Sequence, residues 1–122
     1  MTNEDVSISH RGRLDRPDGA GVAGGGQCPD TISIQIQVRD DVITRLAFDS
    51  TGCQAALACG SMIAQLATGK HLDAAAETTG ETVATALGGM TPQTRHVARI
   101  AAEALENAIW DYVIRAIERG EK

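Results

Sequence analysis

The sequence predicts an α+β domain: a small antiparallel β-sheet with helices packed on one face and a long helix at the C-terminal end. Three observations carry this. Residues 31–38 alternate strictly, with Ile32, Ile34, Ile36 and Val38 on one side and Thr31, Ser33, Gln35 and Gln37 on the other. Residues 42–48 resume an alternation after a short polar break. From Cys53 onward the apolar residues recur every three or four positions, which is the period of a helix.

Taken in order, residues 1–26 are polar and glycine-rich, with Arg11-Gly12-Arg13, Pro17-Asp18-Gly19 and Gly24-Gly25-Gly26, and read as a flexible or irregular segment. Residues 27–120 read as a single domain. The half-buried strand over 31–38 is followed by the polar turn Arg39-Asp40-Asp41. A second strand then places Val42, Leu46 and Phe48 on one side, so the pair forms a hairpin. Asp49-Ser50-Thr51-Gly52 ends it. A helix over 53–67, with Ala55, Cys59, Ile63 and Ala67 four apart, closes at Gly69. Thr78 and Glu81 have the spacing of a capping box and announce a short helix that Gly88-Gly89 stops. Thr91-Pro92 opens a long helix to about Gly120, with Val97, Ala101, Ala104, Leu105, Ala108, Tyr112 and Ala116 as its apolar stripe.

Composition narrows the function classes. Phe48, Trp110 and Tyr112 are the only aromatics, so the core is aliphatic and packs through alanine. A net charge of -5 repels phosphate backbones, and no set of aromatics is present to stack on single strands, which argues against nucleic acid. No run is long and apolar enough to span a membrane, and the first thirty residues lack the pattern of an export signal, so a cytoplasmic protein is expected. Three cysteines cannot all pair within one chain, and in a reducing compartment thiols serve metal or chemistry instead.

The candidate residues sit near element ends. Cys28-Pro29-Asp30 sets a thiol and a carboxylate two residues apart in the loop entering the first strand; an ordinary turn reads the same way. Cys53 stands at a helix N-terminus, where free amides and the helix dipole stabilise a thiolate for ligation or nucleophilic attack, against the alternative of a buried structural cysteine. Cys59 is six residues further along the helix. That is about 240° of rotation and about 9 Å of rise, too far to share an ion with Cys53, so it reads as a core residue beside Ala55 and Ile63. His96, early in the long helix at or beyond the edge of its apolar stripe, has the imidazole that borderline metals favour. His71 reads as solvated, and His10 carries no assignment.

The stretch from Cys28 to Tyr112 resembles the IscU/NifU-type iron-sulfur cluster scaffold family. The likeness rests on ordered motifs: Cys28-Pro29-Asp30, Phe48-Asp49-Ser50-Thr51-Gly52-Cys53, Ala58-Cys59-Gly60-Ser61, Gly69-Lys70-His71-Leu72-Asp73, Leu87-Gly88-Gly89-Met90, His96 and Ala101-Ala102-Glu103-Ala104-Leu105. The Pro17-Asp18-Gly19 leader is also similar. The resemblance implies a non-enzymatic scaffold on which a 2Fe-2S cluster is built from iron and from sulfur delivered by a cysteine desulfurase, then passed to recipient iron-sulfur apoproteins. It implies Cys28, Asp30, Cys53 and His96 as ligands, with iron or zinc as other occupants, and is compatible with a homodimer around a shared cluster.

The sequence departs from the family pattern at three places. Val97 follows His96 where the family has a third ligand cysteine. Met90-Thr91-Pro92-Gln93-Thr94 replaces the Leu-Pro-Pro-Val-Lys chaperone-binding stretch and has no lysine. Pro29 replaces a glycine and stiffens the first ligand loop. Two thiolates, an imidazole and a carboxylate suit tetrahedral zinc or mononuclear iron, whereas clusters are normally held by thiolates. The expected function is therefore a variant scaffold or carrier. A regulatory module that keeps the metal but has lost assembly is the alternative, and a cysteine enzyme with Cys53 as nucleophile and His96 as base is a third reading.

Overall fold

The computed structural model describes residues 12–25, 28–51, 54–88 and 92–120, without the side chains of residues 25, 28–30, 54 and 92–94. Three strands, β1 (Gly19–Gly25), β2 (Cys28–Arg39) and β3 (Val42–Thr51), form one antiparallel sheet in the order β1-β2-β3. Four helices are described after it: α1 (Gln54–Ala67), α2 (Leu72–Ala76), α3 (Gly80–Ala86) and α4 (Pro92–Glu118).

The alternation of β2 holds as expected, because Ile32, Ile34 and Ile36 are fully buried under the helices. β3 differs in one detail. The buried residue near its start is Ile43 and not Val42, since a bulge between Gln37 and Val38 shifts the register from Gln37↔Arg45 to Val38↔Ile43 and reverses which side chains face the core. Arg39 pairs with Val42 across a turn in which Asp40 and Asp41 both have positive φ, 55° and 63°. That is the mirror-image turn whose twist matches a hairpin.

The expectation of an irregular segment over residues 1–26 does not hold for Gly19–Gly25, which pair with β2 from Gly19↔Ile36 to Gly25↔Cys28. Gly19, Gly21 and Ala23 alternate as the small residues on the helix-facing side, so α4 can lie directly on the strand. A β-carbon on Gly21 would overlap the Ala108 amide nitrogen, and one on Gly19 would overlap the Ala108 carbonyl. The outer edge of β1 is not left open: the Ala20 amide donates to Asp111 Oδ2 at 2.9 Å and Asn107 Nδ2 donates to the Val22 carbonyl at 3.1 Å. Asp111 Oδ2 also pairs with Arg115 Nη2 at 3.0 Å.

The polar face of the sheet carries the segment before β1. The Leu14 amide donates to Gln35 Oε1 at 2.7 Å, Gln37 Nε2 donates to the Arg16 carbonyl at 3.3 Å, and the Val38 amide donates to Asp18 Oδ2 at 2.8 Å. Gln35 and Gln37, on the polar side of the half-buried strand, thus anchor the strap that crosses it.

α1 buries Ala56, Cys59, Ile63, Ala64 and Ala67, an amphipathic spacing, and Gly60 lets the Phe48 ring pack where a β-carbon would stand. Gly69, with φ 88°, ends it and donates its amide to the Ile43 carbonyl at 2.7 Å. His71 then caps the short α2, its Nδ1 accepting from the Asp73 amide at 3.1 Å. The capping residue of α3 is Thr79 and not Thr78. Thr79 is extended and its hydroxyl accepts from the Thr82 amide at 3.1 Å, because the helix begins at Gly80, where the chain meets the Arg99 backbone too closely for a side chain. In α4 the expected stripe is the buried one: Val97, Ala101, Ala104, Leu105, Ala108 and Ala116 are core, with Tyr112 half-buried.

Candidate metal centre

Cys28 and Asp30 fall in the first residues of β2, not in a loop before it, because Cys28 pairs with Gly25 of β1. Their side chains lie outside the described residues, as does Cys53, which follows β3 and precedes α1 in the chain. His96 lies in the first turns of α4 and is exposed. Among the described residues, no three His, Cys, Asp or Glu side chains are grouped closely enough to hold a metal ion. Cys59 is a fully buried thiol in the core, as its helical position predicts. His71 is exposed and acts as a helix cap.

The fold relates the described ends of these elements. A β-carbon on Gly19 would meet Ala108 and Tyr112 of α4, and one on Gly21 would meet Ala104, Asn107 and Ala108, so strand and helix run antiparallel. Three strand residues from Gly21 to Gly24, before the bulge between Gly24 and Gly25, advance about 10 Å, which corresponds to about seven helical residues and brings Gly24↔Thr31 near the level of Arg99. The Gly25↔Cys28 pair, past that bulge, therefore lies toward the start of α4, the end that holds His96 and Val97. Thr31↔Thr51, the last pair of the hairpin, belongs to the same end of the sheet. His96 and Val97 are adjacent but differ in surroundings: His96 is exposed, and Val97 is fully buried in the core. A side chain one residue on is rotated by about 100°, which explains the contrast.

The alignment of β1 with α4 is what the sequence reading missed. Its signal was present in Gly19, Gly21 and Ala23, a period-two run of small residues that only a close neighbour requires.

Comparison with known proteins agrees with this architecture. The NifU-like N terminal domain family matches residues 8–119. A protein of Archaeoglobus fulgidus named iron-sulfur cluster assembly scaffold protein IscU 1 is 41% identical over 101 residues, 83% of this chain and 66% of that protein. The iron-sulfur cluster assembly scaffold protein IscU of Aquifex aeolicus is 32% identical over 106 residues, 85% of this chain and 68% of that protein. The chain thus spans about two thirds of the length of these curated relatives. Among solved structures, the N-terminal part of a NifU-like protein from Brucella abortus superposes with a TM-score of 0.67 at 20% identity, covering 93% of this chain and 95% of that one. The family match over residues 8–119 and the identity to the scaffold relatives have one reading: the chain belongs to the IscU/NifU-type family, as a NifU-like N-terminal domain.

Proposed function

We propose that the protein is an iron-sulfur cluster assembly scaffold or carrier whose cargo, iron or a 2Fe-2S cluster, is held by Cys28, Asp30, Cys53 and His96, with zinc as an alternative occupant. The single observation that supports the reading is the antiparallel course of β1 against α4, which turns the start of β2 toward the His96 end of the helix. The names of the Archaeoglobus and Aquifex relatives support it from a separate direction. On this reading the protein performs no catalysis of its own. A cysteine desulfurase supplies sulfur, recipient apoproteins accept the cluster, and the setting is the cytoplasm. Two copies sharing one cluster would supply four thiolates from Cys28 and Cys53, which the thiolate preference of clusters favours. Among the described residues no helix is long and apolar enough to cross a membrane.

The test is anaerobic reconstitution with iron and sulfide, followed by visible absorption and metal analysis. Charge-transfer bands that disappear in Cys53→Ala are expected. Bands and metal content unchanged by that substitution would sink the proposal.

The full burial of Val97 favours a second reading, a metal-holding regulatory module that binds the desulfurase without assembling a cluster. Desulfurase binding with no cluster under any reconstitution condition selects it.

A further inference from the structure

The outer face of α4 carries three large apolar side chains in one line. Trp110, Ile114 and Ile117 are 59%, 48% and 64% exposed. Their spacing is i, i+4, i+7, which places them on one stripe of the helix, opposite the buried stripe. Exposed apolar residues scattered singly need no explanation, but a contiguous line of the largest ones marks an interaction surface.

The charges around the line say what covers it. Glu103 and Glu106 continue the stripe toward the helix start; with Trp110, Ile114 and Ile117 they fall within about 80° of one another around the axis, and Arg99, one turn before Glu103, falls in the same sector, so two carboxylates stand there against one guanidinium. Both glutamates line a notch of about 330 Å³ between α2, the Thr78-Thr79 connection after it and α4, in which Arg99 is the one cation among the lining residues. Glu118 is exposed just past Ile117. The nearby Arg115 is engaged by Asp111, and Arg115 and Arg119 lie about 140° and about 180° around the axis from Trp110, on the other side of the helix.

A second copy of the chain is a poor occupant. Parallel pairing would stack Glu106 on Glu106 and Glu118 on Glu118. Antiparallel pairing that overlays the stripes about Ile114 would press Glu118 onto the partner's Trp110 and desolvate a carboxylate against an aromatic ring.

We infer that this face docks a basic amphipathic helix of a partner protein, its apolar residues lying on Trp110, Ile114 and Ile117 and its lysine or arginine side chains meeting Glu103, Glu106 and Glu118. Opposite charge at the rim selects the partner and sets its direction, while the apolar line supplies the contact area. Trp110 lies fourteen residues from His96, about 21 Å along the helix, so a docked helix leaves the start of α4 uncovered. The inference is independent of whether that end holds a metal.

Trp110 is the only tryptophan and therefore reports directly on the face. The full chain is titrated with a tryptophan-free helical peptide bearing leucines at i, i+4 and i+7 flanked by lysines, and with a counterpart in which glutamates replace the lysines. A saturable blue shift with the basic peptide and none with the acidic one is expected. The double substitution Glu103→Gln, Glu106→Gln should weaken binding roughly tenfold, and added salt should weaken it for the parent chain. Ile114→Ser with Ile117→Ser should abolish it; both residues are exposed, so the fold is retained, which circular dichroism checks. No shift with the basic peptide, or equal shifts with both, overturns the inference. So does a shift on concentrating the protein alone, which assigns the face to a second copy. A shift on phosphatidylcholine or phosphatidylglycerol vesicles without one on the peptide assigns it to a membrane surface and likewise overturns the inference.

Discussion

Gly21 of β1 lies so close to Ala108 of α4 that a β-carbon at Gly21 would overlap the Ala108 amide nitrogen and stand 2.6 Å from the Ala104 carbonyl oxygen. The two elements meet backbone to backbone, and neither can yield without moving the whole helix. This contact fixes the level of the α4 start against the start of β2. Gly21→Ala is therefore expected to cost about 2–3 kcal/mol, because overpacking against main chain cannot be relieved by a rotamer change. Urea unfolding should show a lower midpoint with an unchanged slope. A loss below about 0.5 kcal/mol, the range of an ordinary surface change, contradicts this account of the contact.

The edge of β1 gives a second prediction. Asp111 accepts from the Ala20 amide at 2.9 Å and pairs with Arg115 at 3.0 Å, so one half-buried carboxylate serves both strand and helix. Asp111→Ala leaves the Ala20 donor without an acceptor and should cost about 1–3 kcal/mol; Asp111→Asn keeps an acceptor and should cost less. Amide exchange at Ala20 distinguishes them: faster in the alanine variant, close to parent in the asparagine variant.

Much of this fold was legible in the sequence wherever one periodicity ruled. The alternation of Ile32, Ile34 and Ile36, the stripe from Val97 to Ala116 and the core position of Cys59 all follow from spacing and burial alone. β1 was not legible in that way. Its helix-facing residues are glycines and an alanine, which carry almost no hydrophobic signal, and its stability comes from backbone pairing and from Asn107 and Asp111, more than eighty residues away in sequence. The shift from Val42 to Ile43 depends on a bulge, which alternation cannot announce. For the candidate centre, the ordered motifs pointed to the family, and the family match agrees. That His96 lies toward the same end as the start of β2 is a long-range relationship and needed the fold.

The hairpin turn yields a stabilising prediction. Asp40 and Asp41 occupy left-handed backbone, where aspartate is tolerated but asparagine and glycine are preferred. Asp40→Asn together with Asp41→Gly should raise stability by about 1 kcal/mol, relief of the left-handed backbone outweighing the extra freedom that glycine gives the unfolded chain. The Asp41 carbonyl accepts from the Leu72 amide at 2.8 Å, and main chain is unaltered by the change, so the tie to α2 persists. A fall in thermal midpoint would show that the aspartate side chains hold the turn in a way the backbone does not.

The proposed cargo site is best tested by moving thiols one at a time. Cys53→Ala should remove cluster absorption and lower bound iron. Cys59→Ala should leave both intact and cost about 1 kcal/mol of stability, since Cys59 is a core side chain on α1. Val97→Cys is the informative addition. The position is fully buried one residue beyond exposed His96, and valine to cysteine is a small contraction, expected to cost about 0.5–1.5 kcal/mol. If the inner side of α4 at this level borders the cluster, the new thiolate should slow cluster loss to a chelator several-fold relative to the parent chain. An unchanged rate, with the fold intact and the parent still binding iron, would mean that residue 97 faces only the core. Val97 would then be a packing residue, and the ligand set of this protein would be complete with two cysteines.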